Sequence, residues 1–518
     1  MLTEDQSAII RFLMSPSTHG GTDVERVDTH ASVVFLAGPR AWKLKRAVRY
    51  DYLDFSTADR RRRMCEAEVR INRRTAPSLY RGVVAVTRAP DGSLGLGGPG
   101  AQVDWVIEMA RFDQEMLLDR LAARDALHME LMRPLAAAIA QLHETAEVRP
   151  GHGGRAGLGL VIEGNATGLT REGAGVLEPA ACVRVTEAAR EALARLGPRL
   201  DARRSAGLVR QCHGDLHLRN IVLLDGRPTL FDGIEFSEDL ACIDVLYDLA
   251  FLLMDLWRRH LPAHAHRVWN AYLGHTNDVD GVALLPLLLS CRAAVRAKTS
   301  VTAAGLADDA GQKESLRQQA REYLDLALRL LAPAPACLVA VGGLSGSGKS
   351  TLAFGLGPSL GAVPGAIVVR SDEVRKQLSG VSPVTRLKPE AYAPEMSRRV
   401  YATLCERASA ILQQGHAVIA DAVFARPADR AAIEAAAAVA DVPFVGLWLD
   451  APAAVLATRA EGRTSDASDA NADVVRRQLG FDTGVVTWPR LDAALDPHTI
   501  LERALSMINH LPAFERGW

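Results

Sequence analysis

The chain has 518 residues, with 60 Lys and Arg against 61 Asp and Glu and a formal net charge of -1. A balance this close excludes a surface built generally to coat nucleic acid, and the length exceeds one ordinary core, so two or three domains are expected. Hydrophobic content of 48% and charged content of 23% are those of a soluble globular protein. Seven cysteines are dispersed without a CxxC pair, which reads as buried thiols in a reducing compartment.

The opening MLTEDQSAII carries acids and lacks a basic segment followed by an apolar run, so no secretory leader is expected. The apolar runs ALLPLLL and AAAAVADVPFVGLWL are broken by proline or aspartate short of a membrane span. A cytoplasmic chain with no membrane contact follows.

Residues 25 to 110 are rich in strand patterns: ASVVFLAG, AWKLKRAV, GVVAVTRA and DWVIEMA, with one helical stretch, DRRRRMCEAEVRINRRTA. The glycine-rich APDGSLGLGGPG, residues 89 to 100, reads as a hairpin loop. From about 111 to 334 the pattern is helical, interrupted by two short strands. The long helix QKESLRQQAREYLDLALRLL runs into LAPAPAC, whose alternating prolines mark a boundary near residue 335. Beyond it CLVAVGG, AIVVRSD, AVIADAVF and FVGLWLD alternate with helical patterns, which predicts a parallel sheet with helices on its faces. The domains expected are therefore 1–334, with a small lobe at about 25–110 and a helical lobe at 111–334, and 335–518.

The two interrupting strands sit in HGDLHLRNIVLLDGRPTLFDGIEF, His213 to Phe236. Moving a phosphoryl group to a hydroxyl needs a carboxylate to take the proton and oxygen ligands to hold magnesium. Asp215 and Asn220 stand five residues apart at the ends of one loop, the D-x-x-x-x-N spacing of a kinase catalytic loop. After a turn at DGRP the strand TLF delivers Asp232, and a hairpin returns it beside the loop. Polar residues capping a turn are the plainer reading of HGD alone; the asparagine and the second aspartate outweigh it.

This segment resembles the catalytic loop and metal-binding strand of the aminoglycoside phosphotransferase family, which has a two-lobed α+β protein-kinase-like fold. CIDVLYDLAFLLMDL, Cys242 to Leu256, is similar to the helix that follows in that family. The resemblance implies ATP and Mg2+ as cofactors, Asp215 as catalytic base, Asn220 and Asp232 as magnesium ligands, and His213 bracing the loop on the substrate side. It places the ATP-binding lysine in RAWKLKR, with Lys43 the better match and Lys45 the alternative; two apart on a strand, they share a face. Glu68 is the helix glutamate that pairs with this lysine, with Glu66 as alternative. WVIEMA supplies a hinge at Glu108 and Met109 whose backbone meets adenine. No G-x-G-x-x-G precedes Lys43, so the loop over the phosphates is unassigned.

GLSGSGKS, Gly343 to Ser350, satisfies G-x-x-x-x-G-K-[ST] between a strand and a helix. Backbone N–H groups of Gly343, Ser345, Gly346, Ser347 and Gly348 can turn inward around phosphate oxygens, and the helix N-terminus adds positive charge. Lys349 reaches the outer phosphates, Ser350 ligates magnesium, and Thr351 is the neighbouring contact. IVVRSDEVRKQL ends a strand with Asp372 and starts a helix with Arg375, Asp421 ends another strand, and Arg459 and Arg463 stand four apart. The arrangement resembles small P-loop kinases of the gluconate kinase, polynucleotide kinase and zeta-toxin kind, an α/β P-loop fold. That resemblance implies Asp372 as base, Arg375 as substrate contact, Arg459 and Arg463 as lid arginines, and Asp421 as helix cap or aid to magnesium.

The run Arg60 to Arg63 reads as a solvated helix face, His217 as structural, and Arg292 with Arg296 as surface salt-bridging groups. The expectation is two Mg-ATP phosphotransferase domains acting on small-molecule hydroxyls. A nucleotide sensor is one alternative. A nucleic-acid end kinase in the second domain, with a basic groove near Arg375, Arg386 and Lys388, is the other.

Overall fold

The computed structural model describes residues 3–50, 53–381, 385–461 and 472–510. Its backbone forms two compact units, Met1–Thr167 with Arg190–Asp255, and Gly168–Ala189 with Leu256–Trp518. No helix among the described residues is long and apolar enough to cross a membrane.

The first unit carries a six-stranded antiparallel sheet in the order Val24–Asp28, Ser32–Ala37, Arg40–Lys45, Ala101–Ala110, Tyr80–Arg88, Leu94–Leu96. The glycine-rich stretch expected as a hairpin loop contains the short edge strand Leu94–Leu96, paired antiparallel with Tyr80–Arg88. The strand period of two decides what each face holds. Trp42 and Leu44 pack with Phe35, Val86 and Val106 on one face. Ala41 packs with Leu36, Cys65, Val69 and Ile107 on the other, against the helix Ala58–Asn72. Lys43 and Lys45 fall on this second face.

That helix starts where the Thr57 side chain accepts a hydrogen bond from the Arg60 amide, with Asp59 in its first turn. Its buried stripe is unusual for carrying Arg61, Glu68 and Asn72 beside Cys65. Arg61 donates to Asp104 and Glu4, both at 2.8 Å. Arg62 and Arg63 pair with Glu66 and Asp59 along the helix surface. The arginine run is thus one buried ion pair plus a solvated face.

The second unit is built on five parallel strands in the order Ile367–Arg370, Val418–Asp421, Leu338–Gly343, Phe444–Asp450, Arg490–Asp492. The first four are the strands read from the sequence; Arg490–Asp492, only three residues long, is an addition. Val339, Val341, Ile419, Leu447 and Leu449 fill the core with Leu352 and Leu356 from the helix Lys349–Leu356. The edge strand Ile367–Arg370 is covered by the helix Pro262–Thr276. Val368 N–H donates to Asn270 Oδ1 at 2.8 Å, and His266 Nε2 lies 2.8 Å from the Ala366 carbonyl. Covering the edge in this way satisfies backbone groups that would otherwise template pairing with another chain.

His266 and His416 are both buried on backbone carbonyls, and burial pushes each imidazole from 6.5 down to about 4. In the unfolded chain both charge near 6.5, so the folded state binds fewer protons between about 4 and 6.5 and its stability falls as pH drops through that window. We expect a loss of up to about 3 kcal/mol per histidine. Urea unfolding followed by tryptophan fluorescence at pH 7, 6, 5 and 4 measures it. His266→Gln should roughly halve the dependence.

Candidate active sites

Lys43 and Lys45 meet Glu68 from the same strand face and divide its two oxygens. Lys43 Nζ lies 2.7 Å from Oε1 and Lys45 Nζ lies 2.6 Å from Oε2. Each lysine then takes a second acid from the FDGIEF segment: Lys43 reaches Asp232 at 2.6 Å and Lys45 reaches Glu235 at 2.5 Å. The two differ in exposure, 14% for the Lys43 side chain and 2% for Lys45. Lys43 also lines a cavity of about 100 Å³, shared with Val34, Leu36, Met109, Phe231 and Asp232. Its lining is largely apolar. Lys43 is therefore the lysine that faces it, and Lys45 is the one that anchors the segment behind.

Burial works against charge on Glu68, and the two ammonium groups overcome it, holding the carboxyl down at about 2. Burial likewise opposes charge on Lys43, and Asp232 and Glu68 outweigh it, raising its pKa. Glu235 is raised instead, because burial dominates and Lys45 offsets it only in part. Met109 lines the cavity, whereas the Glu108 carboxylate faces Arg40 and Arg81.

Asp232 has a φ of 62°, a left-handed conformation that aspartate tolerates better than most side chains. Three groups that sequence reading missed hold it there. Its N–H donates to the Tyr80 hydroxyl at 3.2 Å, and the next amide, Gly233 N–H, donates to Asn72 Oδ1 at 2.7 Å. The Lys45–Glu235 pair fixes the chain three residues on.

The loop bearing Asp215 is organised from beneath. Asp248 is buried and accepts from the amides of His213 and Gly214 at 3.0 and 2.8 Å, and from His143 Nε2 at 3.1 Å. Gly214 stands at φ 84°, where a Cβ would lie 3.0 Å from the Leu240 carbonyl oxygen. That is the physical reason for glycine between His213 and Asp215. His213 Nε2 lies 2.9 Å from the Phe231 carbonyl, tying the loop to the strand that delivers Asp232. Burial lowers the His213 pKa, with Asp248 and Asp215 opposing, so the ring is a neutral brace and not a charged contact.

Asn220 Nδ2 donates to Asp215 Oδ2 at 3.0 Å and to the Asp215 carbonyl at 2.9 Å. Its amide donors are thus committed to the loop, which leaves Oδ1 as an acceptor. His217 Nε2 is 3.2 Å from the same Asp215 Oδ2. The carboxylate of Asp232 and the amide oxygen of Asn220 are the hard oxygen donors that magnesium prefers, so these residues fit that ion.

In the second unit the strand Leu338–Gly343 leads through the glycine turn into the helix Lys349–Leu356. Gly346 has φ 86°, and a Cβ there would lie 2.2 Å from the Leu456 carbonyl oxygen, so only glycine fits. Ser345 N–H donates to Gln478 Oε1 at 2.8 Å, Ser347 is buried, and Thr351 is exposed. Lys349 Nζ donates to the Leu344 carbonyl at 3.0 Å, arched back over the turn.

Ser350 Oγ donates to Asp421 Oδ2 at 2.6 Å, which brings the hydroxyl and the strand-end carboxylate together as a pair of hard oxygens suited to magnesium. Asp372 lies in the first turn of the helix Ser371–Leu378. Arg375 Nη1 donates to the Ala391 carbonyl at 2.8 Å, with the guanidinium over the Tyr392 ring. Arg459 Nη1 is engaged by the Ala493 carbonyl at 2.5 Å, and Arg463 lies outside the described residues. Arg292 is buried, contrary to its reading as a surface residue, and Arg296 lies 5.7 Å from the Tyr323 ring. Arg386 and Lys388 are exposed.

Residues 51–285 match the family described as the phosphotransferase enzyme family, and residues 338–481 match an AAA domain. Uncharacterized proteins of Mycobacterium tuberculosis (strain H37Rv) and Mycobacterium bovis are each 29% identical over 490 residues, covering 91% of this chain and 95% of theirs. Among crystal structures, a gluconokinase from Sinorhizobium meliloti 1021 is 22% identical, covering 34% of this chain and 92% of its own, with a TM-score of 0.24. A choline/ethanolamine kinase family protein from Mesorhizobium loti is 13% identical, covering 64% and 100%, with a TM-score of 0.34.

Proposed function

We propose, from a chain that carries a phosphotransferase-family domain over residues 51–285 and a second kinase-type domain over residues 338–481, that it is a bifunctional phosphotransferase. Each domain moves the γ-phosphoryl group of Mg-ATP to the hydroxyl of a small-molecule acceptor. The observation that carries the reading is Lys43 bridging Glu68 at 2.7 Å and Asp232 at 2.6 Å at the wall of a cavity. All seven cysteines are free thiols, in keeping with work in a reducing cytoplasm.

In the first domain Lys43 holds the phosphates, and Asn220 and Asp232 hold magnesium, which supplies neutralisation of phosphate charge when bound. Asp215 takes the proton of the acceptor O–H as that oxygen bonds to phosphorus and the bond to ADP breaks. Asn220 Nδ2 donates to Asp215 Oδ2 at 3.0 Å and His217 Nε2 lies 3.2 Å from the same oxygen, which fixes the carboxylate plane. In the second domain the glycine turn and Lys349 hold the phosphates, with Ser350 and Asp421 for magnesium. Asp372 is the base there, Arg375 contacts the acceptor, and Arg459 and Arg463 neutralise the transferred group.

ADP release measured against sugars, aminoglycosides, nucleosides and oligonucleotides tests this. We expect Asp215→Asn and Lys349→Ala each to remove the response to a different acceptor. Stimulation by oligonucleotides alone, lost in Lys349→Ala, would replace this reading with an end kinase in the second domain. No acceptor response in any form of the protein would contradict it.

A further inference from the structure

Pairing of two parallel strands sets Arg370 opposite Asp421, and Asp421 is itself paired with Val341 of the strand that runs into the glycine turn. Three side chains close a ring at these strand ends. Ser350 Oγ donates to Asp421 Oδ2 at 2.6 Å, Arg370 Nη2 donates to Ser350 Oγ at 2.9 Å, and Arg370 Nε donates to Asp421 Oδ2 at 3.2 Å. Arg370 also reaches Glu373 through Nη1 at 3.1 Å. Arg370 is only 2% exposed and Asp421 4%, so the guanidinium is built into the site and is not a passing surface contact.

A serine hydroxyl has one hydrogen and two lone pairs. Here the hydrogen goes to Asp421 and one lone pair to Arg370. Any divalent ion drawn to Ser350 and Asp421 meets a positive charge already bonded to both, in a setting where water screens little. Resting on the reading of this turn as a magnesium-nucleotide site, we propose that Arg370 is a positioning residue that acts as its standing cation. It aligns Ser350 with Asp421 and lowers the affinity of the site for divalent metal.

The test uses the full chain carrying Lys43→Ala and Asp232→Asn, so that a fluorescent ADP analogue reports the glycine-turn site. Magnesium is titrated from a chelated start and nucleotide binding is read directly. Arg370→Gln should lower the half-saturating magnesium by about tenfold or more. Arg370→Lys keeps the charge but cannot span both oxygens with a planar fork, and should lower it by about threefold. An unchanged or raised half-saturating magnesium in these variants overturns the proposal; if the Gln variant does not fold, the Lys variant decides alone. Binding that survives Lys349→Ala overturns the nucleotide-site reading, and the proposal with it.

Discussion

Asp215→Asn is expected to lower acceptor-dependent turnover of the first domain by about 10²- to 10⁴-fold, the usual share of a positioned general base. The amide is isosteric and can keep a hydrogen bond near Asn220, but it cannot accept the alcohol proton. Nucleotide binding should stay close to wild type, because Lys43, Glu68 and Asp232 are untouched. Steady-state ADP release and direct nucleotide titration on the same preparation separate the two. Loss of nucleotide binding would mean that Asp215 does something other than take the proton.

Glu68→Gln is expected to destabilise the first unit by about 3 to 5 kcal/mol, the cost of removing one partner from a buried ion-pair network. Glu68 is the only carboxylate bonded to both lysines among the described contacts, so its loss leaves Lys43 with Asp232 and Lys45 with Glu235. Burial already raises the Glu235 pKa, which makes it a poor sole counter-ion for Lys45. Glu66 is the internal control. It pairs with Arg62 on the helix surface, with side chains 49% and 48% exposed, and Glu66→Gln should shift stability by less than about 0.5 kcal/mol. Urea unfolding of both variants makes the comparison; equal effects would contradict the network.

The two folds could be read because periodicity and motif spacing are local. The alternation of AWKLKR puts lysines and large apolar residues on opposite faces, and GLSGSGKS needs only a strand before it and a helix after it. The same locality explains what stayed hidden. A period of two cannot separate Lys43 from Lys45; only the cavity wall does. Tyr80, Asn72 and Asp248 act on backbone amides brought close by the fold, 152, 161 and 35 residues away in sequence, and no motif marks them. Arg370 could have been suspected, because a strand-end arginine one position before SDEV should face the neighbouring strand end. Which acid it would meet required the register. The short strand Arg490–Asp492 is too brief for a periodic signal.

Two separate nucleotide sites in one chain are the centre of this account, and binding stoichiometry tests them most directly. Calorimetric titration with a non-hydrolysable ATP analogue and magnesium should give two nucleotides bound per chain. Lys349→Ala should leave one, the Lys43→Ala and Asp232→Asn pair should leave the other, and all three together should leave none. A stoichiometry of one in the wild type, abolished entirely by either set alone, would contradict it.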